Sequence, residues 1–155
     1  MTIAMMAVVC VGFVACGSDG DDGNGDGSIG GLAGKWKKIS EREIKYTRDV
    51  NGLWVVTEDE GEKPSTSGSG FIFDGLYARL VYFNADGSYI LETDDRFEVR
   101  IMSGHLYLKE MDDHDIDDFE DYGAINITGN EFTLEEVEEY SAIQKKVEIK
   151  RYRKI

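Results

Sequence analysis

The residues best suited to nucleophilic, acid–base or metal chemistry are few: this 155-residue chain carries Cys10 and Cys16 and the imidazoles of His105 and His114. Zinc and iron–sulfur centres need clustered Cys/His ligands, and a disulfide framework needs several cysteine pairs, so most such sites are excluded. No serine stands in a G-x-S-x-G elbow, and no other nucleophile motif is present. Glycoside hydrolysis needs only two carboxylates, and carboxylates abound, but none falls in a recognised acid–base pattern. The chain reads as a non-enzyme with no cofactor. Its 31 acidic and 17 basic side chains leave a formal charge of −14. Phosphate recognition needs clustered Lys and Arg, so nucleic acid is excluded as a partner.

The acid is concentrated in residues 110–121, where Glu110, Asp112, Asp113, Asp115, Asp117, Asp118, Glu120 and Asp121 are interrupted electrostatically by His114 alone. Alternating Asp113, Asp115 and Asp117 have the spacing of oxygen-ligand calcium loops. Asp118 stands where such a loop has Gly, however, and Ala124 stands at its closing position. The segment reads as a solvated loop held open by self-repulsion, with no metal. A second string, from Asp22 through Ile29, lacks its closing Glu because Ala33 occupies that place. Gly25 to Gly30 spells G-x-G-x-x-G, but neither a strand before it nor a helix after it supports dinucleotide binding.

Before any of this come thirteen uncharged, mainly apolar residues, 3–15, too short to cross a bilayer as a helix and of the length of a signal-peptide core. They end in Phe13-Val14-Ala15-Cys16, which resembles the lipobox of bacterial lipoproteins, although Phe13 replaces the usual Leu and no Lys or Arg precedes the run. The resemblance implies that Cys16 is the lipidated residue and that the membrane is a partner through this lipid. Residues 16–31 are mostly Gly, Asp, Ser and Asn, with too little apolar surface to offset their ordering entropy, and read as a flexible tether. Acidic residues beside the acylated cysteine resemble the surface-export signals of Bacteroidetes lipoproteins. That resemblance implies an outer-membrane, cell-surface location.

From Leu32 onward the composition changes, and residues 32–155 hold both tryptophans and all eight tyrosines. Period-two alternation predicts strands near 35–46, 53–57, 77–83, 88–93, 97–102, 105–109, 124–127, 132–135 and 147–152, with no convincing helix. Asn84-Ala85-Asp86-Gly87, Ser103-Gly104 and Thr128-Gly129-Asn130 supply hairpin turns. The stretch 57–70 reads as an exposed loop. Short antiparallel strands joined by tight turns favour a closed, up-and-down β-barrel of about eight strands, because closure removes aggregation-prone edges. In a closed meander the first and last strands pair. That pairing brings Lys35, Lys37 and Lys38 beside a last strand whose six cations face only Glu148, so the expectation is a basic stripe opposite the acidic loop.

Gly34-Lys35-Trp36 opens the first strand, and Arg151 and Arg153 share a face with Val147, Ile149 and Ile155. An inward Val/Ile face carries an Arg inward too, and a buried guanidinium seeks an aromatic face, with Trp36 the natural partner. This G-x-W with a C-terminal Arg resembles the lipocalins, and the Asn-Ala-Asp-Gly-Ser-Tyr hairpin with a terminal Tyr-Arg-Lys resembles the lipocalin-like domains of Bacteroidetes lipoproteins. The resemblance implies a barrel interior that takes a small apolar or amphipathic ligand. Inward candidates for its lining are Trp54, Val56, Leu80, Tyr82, Tyr89, Leu91, Phe97, Val99, Ile101, Leu106 and Leu108. The alternative is that such bulky side chains fill the barrel, leaving a tethered surface lipoprotein whose exterior meets a protein or a glycan. A filled interior with apolar groups outside would favour the second reading.

Overall fold

The computed structural model describes residues 29–111 and 118–155. Among the described residues there is a single 3-10 turn (Ile29–Gly31) and no α-helix. Eleven strands follow: β1 (Gly34–Arg48), β2 (Trp54–Asp59), β3 (Lys63–Pro64), β4 (Ser69–Asp74), β5 (Tyr77–Phe83), β6 (Tyr89–Leu91), β7 (Phe97–Met102), β8 (His105–Glu110), β9 (Glu120–Thr128), β10 (Glu131–Ser141) and β11 (Gln144–Lys154). All lie in one antiparallel sheet. β1 pairs with β4 through residues 34–37 and with β11 along most of its length. Eight strands, β1, β4, β5, β7, β8, β9, β10 and β11, therefore follow one another in a closed ring. The small strands β2 and β3 attach to β1, and β6 attaches to β5.

The all-β antiparallel class expected from the alternation is observed, as is the adjacency of the first and last strands. One ring member is new. β4 lies at the end of the stretch read as loop, where glycines at 68, 70 and 75 surround a short Phe-Ile-Phe run. Gly70 is required there by close approach: a Cβ on it would sit 2.1 Å from the Trp36 carbonyl and 2.8 Å from the Phe83 ring. The β7–β8 hairpin turns on Ser103 and Gly104, at φ 51° and 79°, the two positive angles that a tight two-residue turn demands.

Paired residues on neighbouring strands share a face. On the inner face of the ring, Trp36, Phe71, Phe73, Ala78, Val99, Ile101, Leu106, Leu108, Phe132, Leu134 and Tyr152 form one buried cluster, capped by Leu32. Trp36 is wholly buried; its indole N–H donates to the Leu32 carbonyl at 2.5 Å, and its ring meets Phe132 edge-on at 5.0 Å. Phe132 stacks on Tyr152 at 4.6 Å, and Phe71 lies 5.2 Å from Tyr152 and 5.3 Å from Phe73. Such offset and edge-on pairs add to the free energy of area burial.

The expected Trp36–arginine contact is not formed. In β11 the inward residue is Tyr152, so Arg151 and Arg153 lie on the opposite face, where Arg151 pairs with Glu62 at 3.0 Å and Arg153 with Glu131 at 2.7 Å. Trp36 pairs in register with Lys154, whose ammonium stands 5.5 Å from the indole centroid. The error was one of parity: Val147 and Ile149 line the outer face, and the arginines go with them. The basic stripe is likewise laced with acid, since Lys38 pairs with Glu41, Lys146 with Glu138 and Lys150 with Glu136.

Candidate functional site: a cationic groove on the outer face

The ring's outer face is interrupted where β5 changes partner. Residues 81–83 of β5 pair with β6, whereas residues 77 and 78 pair with β7. The chain crosses between these two partners through residues 92–96, pinned by hydrogen bonds from the Glu92 N–H to the Leu80 carbonyl (2.9 Å) and from the Met111 N–H to the Arg96 carbonyl (2.9 Å). Register places Ile72 opposite Arg79 and Asp74 opposite Tyr77, all on the outer face, with Lys35 beside Ile72. The split leaves a cavity of about 360 Å³ lined by Ile72, Asp74, Tyr77, Ala78, Arg79, Tyr89 and Arg96.

Its side chains are held by rings rather than by counter-ions. The Arg96 guanidinium stacks 3.8 Å from the Tyr77 ring centroid, and the Lys35 ammonium lies 5.1 Å from that of Tyr89. Tyr89 is itself positioned edge-on to Phe83 at 6.1 Å, and Phe83 is buried against the Gly70 backbone. Among the described residues no ion pair includes Lys35, Arg79 or Arg96, although the chain carries almost two acids per base. Asp74 is the carboxylate in the lining. Just outside, the Tyr82 hydroxyl donates to Glu92 at 3.1 Å, and that carboxylate holds the phenol above its ordinary pKa. Two arginines and one carboxylate in the lining, two phenol rings and Lys35 beside Tyr89 give the groove hydrogen-bond donors and a positive balance among the described residues that can receive a small anion.

A second concavity, about 550 Å³, has the opposite charge: His105, Asp121, Glu135, Glu136 and Glu138 line it. His105 Nδ1 lies 3.0 and 3.1 Å from the two Asp121 oxygens, while Glu136 and Glu138 are taken by Lys150 and Lys146. Among the described residues no three His, Cys, Asp or Glu side chains are grouped to hold a metal ion.

No family model, no curated protein and no solved structure matches this chain.

The structure gathers part of the sequence-derived lining set and scatters the rest. Val99, Ile101, Leu106 and Leu108 are packed in the core, and Leu80 and Phe97 pack against it. Trp54 and Val56 belong to β2, which hangs outside the ring, and Val56 is 54 % exposed. Tyr82 and Tyr89 are 39 % and 42 % exposed, and the inward placement expected for Trp54, Val56, Tyr89 and Leu91 is corrected. Tyr82 has the inner parity but stands past the end of the packed core, and Tyr89 and Leu91 pair with the outward Phe83 and Val81. Of the eleven, only Tyr89 lines the cationic groove. Tyr77, Arg79, Asp74 and Arg96 were missed because a strand charge looks like any solvated charge until its neighbours are known. Cys16 and residues 112–117 of the acidic run, the calcium spacing included, lie outside the described residues.

Proposed function

We propose that this chain is a lipid-anchored cell-envelope lipoprotein, attached to the outer membrane through Cys16, in which residues 32–155 form a lipocalin-like, up-and-down barrel. In this reading the barrel is filled by its own side chains and serves as a rigid scaffold, and recognition takes place on its outer surface. The supporting observation is the interior itself: Trp36, Phe71, Phe73, Phe132 and Tyr152 occupy it with ring centroids 4.6 to 6.3 Å apart. An eight-stranded ring has room either for such side chains or for one small ligand, not for both. The groups left outside, a cationic groove and a set of exposed apolar side chains, suit a surface that meets other molecules.

The deciding experiment is incubation of the full chain with a cell lipid extract, repurification and mass spectrometry of whatever is released on denaturation. The expected result is no stoichiometric small molecule. A bound apolar molecule at one per chain would overturn the filled interior and restore the ligand-carrier reading. For the anchor, Cys16→Ala is expected to move the protein to the soluble fraction with its fold intact, since stable retention needs two or more acyl chains at roughly 0.8 kcal/mol per buried CH₂. Continued membrane association of the folded variant would overturn lipid anchorage.

A further inference from the structure

Resting on the outer-surface reading, we propose that the groove between β5, β6 and residues 92–96 binds a carboxylated sugar residue, a hexuronate of an acidic glycan. The lining cations favour an anion: Arg79 and Arg96, with Lys35 just outside, form no ion pair among the described residues, and guanidinium forks match a carboxylate in two parallel hydrogen bonds. Asp74 narrows the choice. A doubly charged phosphate monoester would meet repulsion from it, whereas a sugar bearing one negative charge can donate hydroxyl hydrogens to it. Tyr77 and Tyr89 supply flat apolar surfaces for the C–H face of a pyranose. A fatty acid would satisfy the cations and could lay its tail on Ile72, Ala78 and the two rings, but it has no hydroxyl to donate to Asp74. The volume, about 360 Å³, falls at the small end of ligand sites, which run to roughly 1,000 Å³, and suits one or two sugar units of a chain that continues into solvent.

Preorganisation supports the same conclusion. Arg96 is already stacked on Tyr77 and its backbone is tied to Met111, so little side-chain freedom remains to be lost on binding. The overall charge of −14 opposes approach of an acidic polymer from a distance, but charges beyond a Debye length of about 8 Å are largely screened at physiological salt.

The test is calorimetric titration of the full chain, in detergent, with a tetragalacturonate and with the neutral galactose tetrasaccharide. The expected result is at least tenfold tighter binding of the acidic sugar. Arg79→Ala and Arg96→Ala should each weaken it about tenfold, and Arg79→Lys, which keeps the charge but loses the fork, should weaken it severalfold. Lys63→Ala, which removes a cation from a distant ion pair with Glu60, should leave binding unchanged. Near-UV circular dichroism identifies any variant that has not folded, and in that case the conservative Arg79→Lys decides. Equal binding of the two sugars, or binding to the uronate that ignores both arginines, would overturn the proposal. Absence of uronate binding with an interior that takes up no lipid refutes only the ligand class. Absence of uronate binding with a lipid found inside refutes the outer-surface reading as well.

Discussion

Strands β10, β11 and β1 each run through two different environments, and the contrast shows how burial is decided. In the ring, their inner face carries Phe132, Leu134, Tyr152 and Trp36, sealed by strands on every side. Farther along the same strands, beyond the ring, that face carries Glu136, Glu138, Lys146, Glu148 and Lys45, tied as Lys146–Glu138 and Lys45–Glu43 ion pairs. The apolar residues have moved to the other face, where Ile44, Tyr46, Trp54, Val56, Val137 and Val147 lie together with β2 as an edge. Position within this ribbon then decides exposure. Val137 and Val147 face each other in register, yet Val137 is 53 % exposed and Val147 only 6 %, because β11 has a strand on both sides at this level and β10 does not. The same amino acid, with the same alternation, is core in one place and surface in the other.

The comparison is broken most forcefully in the ring. Trp36→Ala removes the central ring of the cluster together with the indole bond to Leu32, and is expected to cost about 3–5 kcal/mol in a urea melt. A loss below about 1 kcal/mol would mean that the interior is loosely packed. Gly70→Ala comes next, since its methyl would have to displace the Trp36 carbonyl and the Phe83 ring; the expected loss is about 1–3 kcal/mol.

In the ribbon the effects shrink. Trp54 lies between the guanidinium of Arg48 at 4.6 Å and the ammonium of Lys145 at 4.8 Å, so Trp54→Ala should cost about 1 kcal/mol. Val137→Ala should fall within about 0.5 kcal/mol of wild type, although it deletes the same groups as the much costlier Val147→Ala. Equal losses for the two valines would erase the distinction drawn between the flanking and central strands.

The two regions should also separate by pH. In the ring, burial and the nearby Glu136 and Glu148 hold the Tyr152 phenol above its ordinary pKa of 10. Its contribution is complete below pH 10 and is lost as the pH rises past that value, because the unfolded phenol gives up its proton first. Spectrophotometric titration of the wild type against Tyr152→Phe should show the Tyr152 phenol resisting ionisation until the chain unfolds. In the ribbon, Arg42 and the Gly61 N–H hold the Asp59 carboxyl at about 2, below the usual 3.8. Its contribution is present above pH 3.8 and lost as the pH falls toward 2. Both groups at this contact are exposed and screened, so the effect is the smallest of the set and should appear as a local change at β2 in amide-exchange or NMR spectra, leaving the ring intact.

Much of this was legible beforehand. Alternation at period two and the turn residues marked the β class, the hairpin at Ser103-Gly104 and the adjacency of the terminal strands, since these depend on local preference and on the need to hide edges. The extent of β10 and the existence of β4 were not legible, because Glu-rich and Gly-rich stretches carry little strand propensity and are held in the sheet by neighbours distant in sequence. The groove was not legible either: Tyr77, Arg79 and Arg96 come together only because β5 exchanges β6 for β7 between them.

By itself, the order of residues determined that this chain would build antiparallel strands with one apolar side, because side-chain alternation is a property of a single extended segment. It could not say which side would become interior. Inside and outside are relations among strands, set by the register of β1 with β11 and by the bulge after Lys38, and a shift of one residue exchanges the two faces. That is why Tyr152 and not Arg151 or Arg153 sits with Trp36, and why the cations of the groove face solvent, without carboxylate partners among the described residues.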